Sequence, residues 1–227
     1  MKKIILFGSG KIAEVLLYYF DEIYPGIVIA STVDNKYLPS SQYFKHLPCV
    51  PFDNIEAIFP PSQFDMFIAL GYQDMNKLRE SKCTQARLKG YKLVSLIHPN
   101  SCLPTNCKFG DNSFVMDRVN IHPFVSIGSN TFIWSGSMVG HHTKIGNNCW
   151  ITSSANISGN VLIDDNCFIA VNSTITNSIK VGKSNFIGSN TLINSNTEND
   201  AVYVQKQTGK YRLNSSQFVK LINFSSI

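Results

Sequence analysis

The sequence predicts an α/β domain followed by a parallel β-helix, and three observations support this fold class. An apolar residue, most often β-branched, recurs at every sixth position from Ile97 to Ile193. The composition changes sharply near residue 97, which suits two modest domains in a chain of 227 residues. The chain also opens with a short apolar run that ends in Gly8-Ser9-Gly10.

The first domain is predicted to span residues 1–96. Residues 3–7 form an apolar strand that leads through the glycine turn into a helical pattern ending near Tyr24. Glycines at such a turn let the backbone approach a phosphate, and the free N–H groups of the helix start favour negative charge there. A turn with a purely structural role is the alternative. Further strands are expected over 27–33, 65–70 and 93–96, with a helix over 73–89.

The ends of these strands supply the candidate binding residues of the first domain. In parallel sheets the ligand site lies at the carboxyl ends of the strands. A domain of this length holds one Rossmann-like half, which suits a mononucleotide group better than a dinucleotide. The candidate residues are Gly8, Ser9, Gly10, Lys11, Asp34, Asn35, Gly71 and Tyr72.

Residues 97–200 carry the six-residue period, which fits neither a helix nor a flat strand. Such a period predicts a coil that turns a corner every six residues, so that about three repeats close one turn of a parallel β-helix. The aliphatic residue of each repeat points inward and stacks on its equivalents in the neighbouring coils. Gly and Asn at the corners accept the tight turns. Residues 201–227 are expected to form a C-terminal tail.

Composition narrows the classes of function. The net charge of +5 is not gathered into a basic run, which argues against nucleic-acid binding and suits a small anionic ligand. No apolar run reaches the roughly 18 residues of a membrane span. The Met-Lys-Lys start resembles the basic region of a signal peptide, but the short apolar run after it ends at Gly8-Ser9-Gly10, so we interpret it as a first strand. We therefore expect a cytoplasmic protein that does not bind membranes. The six cysteines form no CxxC pair and are expected to be buried free thiols.

The histidine pair His141-His142 is the candidate catalytic feature. It follows the inward residue Val139, at a predicted corner of the coil. Histidine is the natural general base near neutral pH. Neighbours on extended backbone point to opposite sides, so only one of the two rings is expected to face a given cleft. One coil onward from His141 lies Gly159, whose backbone N–H could bind an oxyanion. A metal site is not expected, because His122, His141 and His142 lack a three-ligand spacing on one coil.

Several motifs together resemble a known family, the bacterial nucleotide-aminosugar N-acetyltransferases of the left-handed β-helix class. This class is similar to the enzymes of the bacillosamine, perosamine and viosamine pathways and to sialic-acid O-acetyltransferases. The resemblance covers nearly the whole chain. It lies in the hexapeptide repeats and in Gly8-Ser9-Gly10, Val33-Asp34-Asn35, Phe67-Ile68-Ala69-Leu70-Gly71, Leu96-Ile97-His98-Pro99 and Val139-Gly140-His141-His142.

The resemblance implies a left-handed coil, although the usual crossover rule would give a right-handed one. It also implies a homotrimer, with acetyl-CoA in the groove between neighbouring β-helices and the nucleotide sugar on the first domain. The chain departs from the family pattern in four places. Lys11-Ile12 replaces Gly-His after the first loop, His142 replaces an acidic residue, Trp150 replaces a second histidine, and Tyr203 to Gln207 replaces a Val-Gly-x-Pro-Ala segment.

The function expected from these observations is acetyl transfer from acetyl-CoA to the amine of a UDP- or dTDP-linked 4-amino-4,6-dideoxyhexose. His141 would accept the proton of the amine and the Gly159 N–H would stabilise the oxyanion. A sugar O-acetyltransferase using the same histidine is one alternative. A trimeric sugar-nucleotide-binding scaffold without catalytic activity is the other. A homotrimer is expected on physical grounds too, because a corner of an isolated prism is convex and needs a second wall to bury a ligand.

Overall fold

The computed structural model describes residues 2–222. Its first part is a five-stranded sheet with the order β3-β4-β2-β1-β5, in which β4, β2, β1 and β5 are parallel and β3 is antiparallel to β4. The strands are β1 (Lys3–Phe7), β2 (Val28–Val33), β3 (Tyr43–Phe44), β4 (Leu47–Pro51) and β5 (Phe64–Ile68). The connections contain α1 (Lys11–Ile23), α2 (Ile55–Ile58), α3 (Lys77–Leu88) and a 3₁₀ turn (Asn35–Tyr37).

The interior strand β1, which lies between β2 and β5, is buried along most of its length, from Ile4 to Phe7. A parallel strand that is covered on both faces has a continuous run of apolar residues. The bounds of β1 could therefore be predicted from the sequence. The sequence predicted α3 less well. The helix begins at Lys77 rather than near residue 73, because Asp74, Met75 and Asn76 have positive φ angles of 49°, 48° and 68°. Left-handed backbone cannot continue a right-handed helix.

The second part is a parallel β-helix with three faces of two-residue strands. Successive strands on a face pair in parallel at a separation of 18 residues, as in Ser126 with Lys144, except that the last pair, Phe186 with Val202, is 16 residues apart. Face A contains Leu96–Ile97, Phe114–Val115, Phe132–Ile133, Trp150–Ile151, Phe168–Ile169, Phe186–Ile187 and Val202–Tyr203. Face B contains Asn120–Ile121, Met138–Val139, Asn156–Ile157, Thr174–Ile175 and Leu192–Ile193. Face C contains Lys108–Phe109, Ser126–Ile127, Lys144–Ile145, Leu162–Ile163 and Lys180–Val181.

The six-residue period has a simple structural origin. The second residue of each strand points inward, as predicted, and is buried in the prism from Val115 to Ile193. In the outermost strands the equivalent residues Ile97, Phe109 and Tyr203 are only partly buried. Each corner places one residue in the left-handed region, where Asn and Gly are tolerated best. The corner residues with positive φ recur every six positions: Asn112, Arg118, Phe124, Asn130, Gly136, His142, Asn148, Ser154, Asn160, Asn166, Asn172, Ser178, Ser184 and Asn190.

The first domain packs against face A and shares a hydrophobic core with the β-helix. Face A presents an outward column of aromatic rings, and rings of the first domain cover much of it. Tyr19 lies against Phe114, Phe67 against Phe132, and Tyr72 against Trp150 and Phe168, with ring centroids 4.7–5.8 Å apart. The predicted boundary after residue 96 falls inside the first strand of face A, Leu96–Ile97, and stays a prediction.

One more strand and a helix follow the last coil. Val202–Tyr203 adds a last strand to face A, and the helix α4 (Ser215–Ile222) follows. Residues 223–227 of the predicted tail lie outside the described part of the chain. No helix within residues 2–222 is both long and apolar enough to cross a membrane. Cys49, Cys83, Cys149 and Cys167 are buried free thiols, whereas the expected burial is wrong for Cys102, which is exposed.

Candidate active site

The corner between faces B and C carries the histidine pair. Met138–Val139 on face B leads through Gly140 into His141 and His142, and the chain then enters face C at Lys144. Both imidazoles are exposed. Their Nδ1 atoms lie 3.1 Å apart, within hydrogen-bond distance, so one Nδ1 donates and the other accepts. When His141 is the donor, its Nε2 keeps a lone pair and can act as a base.

The expectation that the two rings face opposite sides is wrong. It assumed an extended backbone, whereas His142 has a φ of 61° and occupies the left-handed corner position. The corner turns the second ring back toward the first, and the two ring planes meet at 85°. His142 is therefore placed to orient His141, the position at which the resembled family has an acidic residue.

Gly159 lies directly against the His141 imidazole. A Cβ atom on Gly159 would stand 2.8 Å from both Cε1 and Nε2 of His141, closer than real Cβ atoms approach. The missing side chain therefore makes the room that the ring occupies. No acceptor within residues 2–222 receives the Gly159 N–H. The alignment of His141 with Gly159 that the 18-residue spacing predicted is present, and the residue against the imidazole has a free backbone N–H.

A cavity of about 490 Å³ lies at the carboxyl ends of β1 and β2. Gly8 has a φ of +132°, and a Cβ there would stand 2.8 Å from the carbonyl oxygen of Ala69, so only glycine fits. Gly10 precedes α1, whose first N–H groups open toward the cavity. The lining residues are Phe7, Gly8, Ser9, Gly10, Val33, Asp34, Lys36, Tyr37, Leu70, Gln73, Leu78 and Lys82.

Asp34 and Lys82 form an ion pair in this cavity. Lys82 Nζ donates to Asp34 Oδ1 at 2.5 Å and to Gln85 Oε1 at 3.1 Å. The pair offers a ligand an acceptor and a donor side by side. Lys82 was not among the residues predicted from the sequence. A signal for it exists, because the buried positions of α3, 79, 82, 83 and 86, follow helical spacing and include two cationic residues.

Several other predicted binding residues do not line the cavity. Asn35 Nδ2 donates to Asp53 Oδ2 at 2.6 Å, and Lys11 lies exposed at the start of α1. The carbonyl of Gly71 accepts from Arg79 Nη1 at 2.8 Å. Tyr72 packs on the aromatic column of face A.

Arg79 connects the first domain to the β-helix through hydrogen bonds. It was not among the residues predicted from the sequence. Its side chain is fully buried, and burial lowers its pKa to about 10. Its guanidinium donates to Asn130 Oδ1 at 2.9 Å and to the Asn130 and Asn148 carbonyls at 3.1 Å. The group also lies 4.5 Å above the Phe132 ring and 5.2 Å from the Trp150 ring. These contacts hold α3 at the corner between faces C and A.

The histidine corner and the cavity are on different sides of the molecule. The first domain covers face A, and the corner opposite that face is the one between faces B and C. Every residue that lines the cavity belongs to the first domain. Trp150, which stands where the resembled family has a second histidine, also lies on face A, buried against Phe132.

Comparison with known proteins agrees with this architecture. The family profile described as bacterial transferase hexapeptide (six repeats) matches residues 106–141 and 142–177. None of the curated protein sequences compared matches the chain. Three solved structures are similar to most of it. The first is PerB from Caulobacter crescentus, in complex with CoA and GDP-perosamine, with 20% identity over 89% of this chain and 93% of that chain and a TM-score of 0.78.

The second is the acetyltransferase domain of PglB from Neisseria gonorrhoeae, with 20% identity over 89% of this chain and 96% of that one and a TM-score of 0.78. The third is WeeI from Acinetobacter baumannii, with 16% identity over 89% and 96% and a TM-score of 0.77.

The fold and the repeats define the class: a half-Rossmann domain followed by a left-handed parallel β-helix of hexapeptide repeats, as predicted. Within that class the chain has the fold of the sugar N-acetyltransferases, which confirms the resemblance inferred from the sequence.

Proposed function

We propose that the protein transfers an acetyl group from acetyl-CoA to the amine of a nucleotide-linked 4-amino-4,6-dideoxyhexose. The observation that carries this proposal is the contact between His141 and Gly159, a base and a free N–H donor on a hexapeptide-repeat corner. The similarity in fold to PerB, whose structure contains CoA and GDP-perosamine, supports it. Metabolites of this kind suit a cytoplasmic enzyme, which forms part of the proposal.

The proposed chemistry needs one base and one oxyanion donor. The amine nitrogen attacks the thioester carbonyl carbon, and His141 Nε2 accepts the amine proton. The Gly159 N–H donates to the oxygen that becomes negative, a contribution of about 10²–10³ in rate. The tetrahedral intermediate collapses with loss of the CoA thiolate, which takes the proton back from His141. General base catalysis of this type contributes about 10²–10⁴ in rate.

The nucleotide is assigned to the cavity of the first domain. The Gly8 N–H is used in the sheet, where it donates to the Thr32 carbonyl, so the backbone N–H groups that favour a diphosphate are those of the turn at Ser9 and Gly10 and of the start of α1. Asp34 with Lys82 would meet the polar edge of a base or ribose. The volume of about 490 Å³ lies within the usual range for small-ligand sites. UDP or dTDP is the proposed carrier. GDP is the carrier in the PerB complex and belongs in the same assay.

The separation of the two sites supports a homotrimer with shared active sites. A sugar held on the first domain, beyond face A, cannot reach His141 at the opposite corner of the same chain. In a closed ring, a neighbouring chain would complete the site, either with its first domain or with its His141 corner. Each active site would then combine His141 of one subunit with the cavity of the next, and CoA would lie in the groove between two prisms.

Thiol release measured with acetyl-CoA and a panel of UDP-, dTDP- and GDP-linked amino sugars tests the activity. Release that depends on a 4-amino sugar is the expected result. Acetylation of a sugar hydroxyl in place of an amine would favour the O-acetyltransferase. Tight binding of a sugar nucleotide without thiol release, and without acetyl-CoA binding in calorimetry, would favour the scaffold without catalytic activity.

Mixed oligomers test the shared site. His141→Asn and Asp34→Ala chains are each expected to be nearly inactive under assay conditions that do not saturate the sugar nucleotide. After dissociation and reassembly of an equal mixture, about a quarter of the sites in a ring would join an intact histidine to an intact cavity. Recovered activity supports the arrangement, whereas no recovery from mixtures shown to contain both chains would contradict it.

A further inference from the structure

Phe124 is an unusual residue for its place in the fold. It occupies a left-handed corner with a φ of 67°, where most other coils carry Asn, Ser or Gly. A bulky side chain in that region is strained because its Cβ crowds the backbone. Core packing does not offset this strain, because the side chain is 59% exposed. Strain of this kind persists where the surroundings or a function require it.

Among residues 2–222, the one close aromatic contact of the Phe124 ring is with His142. Phe124 lies one coil before His142 at the same corner, and the two ring centroids are 4.8 Å apart with planes inclined by 32°. The backbone N–H of His142 donates to the Pro123 carbonyl at 3.2 Å. The previous coil therefore holds His142 in two ways, through the backbone of Pro123 and through the ring of Phe124.

The position of the His142 ring matters because His142 Nδ1 lies 3.1 Å from His141 Nδ1. An exposed histidine without a stacked neighbour rotates freely about its side-chain bonds, and each rotation away from this position would break that hydrogen bond. Without it, His141 would exchange between its two neutral tautomers. Only the tautomer with its proton on Nδ1 leaves Nε2, the atom beside Gly159, free to accept a proton.

We infer that Phe124 is a positioning residue for the candidate base: stacked on His142, it fixes that ring as the acceptor of the His141 Nδ1 proton. The rings of Phe124, His142 and His141 thus act in series, and Phe124 with His142 takes the place of the acidic neighbour of the resembled family. Phe124 and His142 orient the base, and His141 alone exchanges a proton with the substrate. The consequence for turnover rests on the proposed function, whereas the consequence for the His141 tautomer does not.

The decisive variant is Phe124→Asn, because Asn is the residue that most other corners use. It removes the ring and relieves the backbone strain, so the protein is expected to unfold at a temperature no lower than that of the native chain. Phe124→Tyr keeps the ring and is the conservative variant. Arg118→Asn is the matched control, because Arg118 also occupies a left-handed corner, with a φ of 55°, but lies between faces A and B rather than at the histidine corner.

Two measurements distinguish positioning from a structural role. In ¹⁵N-histidine spectra of the full-length native protein, His141 is expected to carry its proton on Nδ1. Phe124→Asn should give a mixture of tautomers, whereas Phe124→Tyr and Arg118→Asn should not. In steady-state assays Phe124→Asn should lower kcat by about tenfold and change both KM values by less than about twofold, because only the orientation of the base has changed. Phe124→Tyr should restore kcat.

Unchanged tautomers in Phe124→Asn would overturn the inference, whether or not the native protein acetylates a sugar. A rise in the KM for the sugar nucleotide with kcat unchanged would also overturn it, since Phe124 would then contact substrate. If the native protein releases no thiol with any sugar, the proposed function fails and the spectra alone decide the role of Phe124.

Discussion

The imidazole of His141 occupies the space that a side chain on Gly159 would fill, with His141 Nε2 2.8 Å from the position of that absent Cβ. The two residues are 18 positions apart, so one repeat of the coil stacks them directly. Gly159 is therefore the source of the space, and within residues 2–222 its backbone N–H has no acceptor.

Gly159→Ala keeps the backbone N–H but is expected to displace the His141 ring, and should lower kcat by about 10²-fold, the low end of what a general base contributes. The new methyl group would meet the imidazole before it met the backbone, so the fold should be retained. Thiol release and thermal unfolding check this together. Gly209→Ala is the control, because no heavy atom lies within 4 Å of the added carbon there. Equal activity of the two variants would contradict the assignment of Gly159.

Replacement of His141 by Asn should lower kcat by two or more orders of magnitude and leave substrate affinity nearly unchanged, because the base acts in the chemical step. His142→Asn should cause a smaller loss, since His142 orients the base without exchanging the proton. Initial rates and isothermal calorimetry on both variants test this order. A larger loss in His142→Asn would transfer the role of base to His142.

Asp34→Ala should raise the KM for the sugar nucleotide at least about tenfold and leave that for acetyl-CoA unchanged. It removes the acceptor from the cavity and leaves Lys82 buried without its carboxylate. Asp53→Ala is the control, because Asp53 is exposed and does not line the cavity. A parallel change in both KM values would show that this cavity does not hold the sugar nucleotide.

Arg79→Ala is expected to lower the free energy of unfolding by about 4 kcal/mol, since it leaves several buried carbonyls without donors. Arg118→Ala, whose side chain is 84% exposed, should change it by less than about 0.5 kcal/mol. Chemical denaturation measures both. A small effect at Arg79 would mean that water replaces the guanidinium between α3 and the β-helix.

The Asp117 carboxylate should make stability depend on acid pH. Its pKa is lowered mainly by the hydrogen bond from Ser135 Oγ at 2.6 Å, with further contacts from Arg118 and from Tyr19 in α1. A lowered pKa means stabilisation that is present above the unfolded pKa and lost as pH falls through the folded one. Asp117→Asn should therefore cost about 1–2 kcal/mol at pH 7, and the difference should close below about pH 4. A difference that persists in acid would contradict this.

The sequence predicts the β-helix well, because the same physical constraints act on every six-residue repeat. Each inward residue must fill the prism, and each corner must accept a positive φ. Stacking at 18 residues then follows, including that of His141 on Gly159. The β1 strand and the glycine turn of the first domain are predicted for a similar reason, since burial on both faces dictates its residues.

What the sequence did not reveal depends on tertiary contacts. The short hairpin of β3 and β4 has little periodicity, and the start of α3 is shifted by three left-handed residues. Arg79 and Lys82 are charged, so the sequence alone would place them at the surface. They are buried because the fold brings their acceptors, Asn130 and Asp34, beside them. The contact between the two histidine rings could not be predicted, because it depends on the left-handed backbone of His142 at the corner.

The aromatic column on face A has a consequence for how the chain can be divided. Phe114, Phe132 and Trp150 are buried because the first domain lies on them. A fragment that starts at residue 97 would present these rings to water as one continuous apolar stripe, a surface prone to self-association. Deletion of the first domain is therefore expected to yield aggregates rather than a shorter scaffold. Circular permutants or fusions would tolerate a break better in the tail beyond residue 204 than at the junction of the two parts.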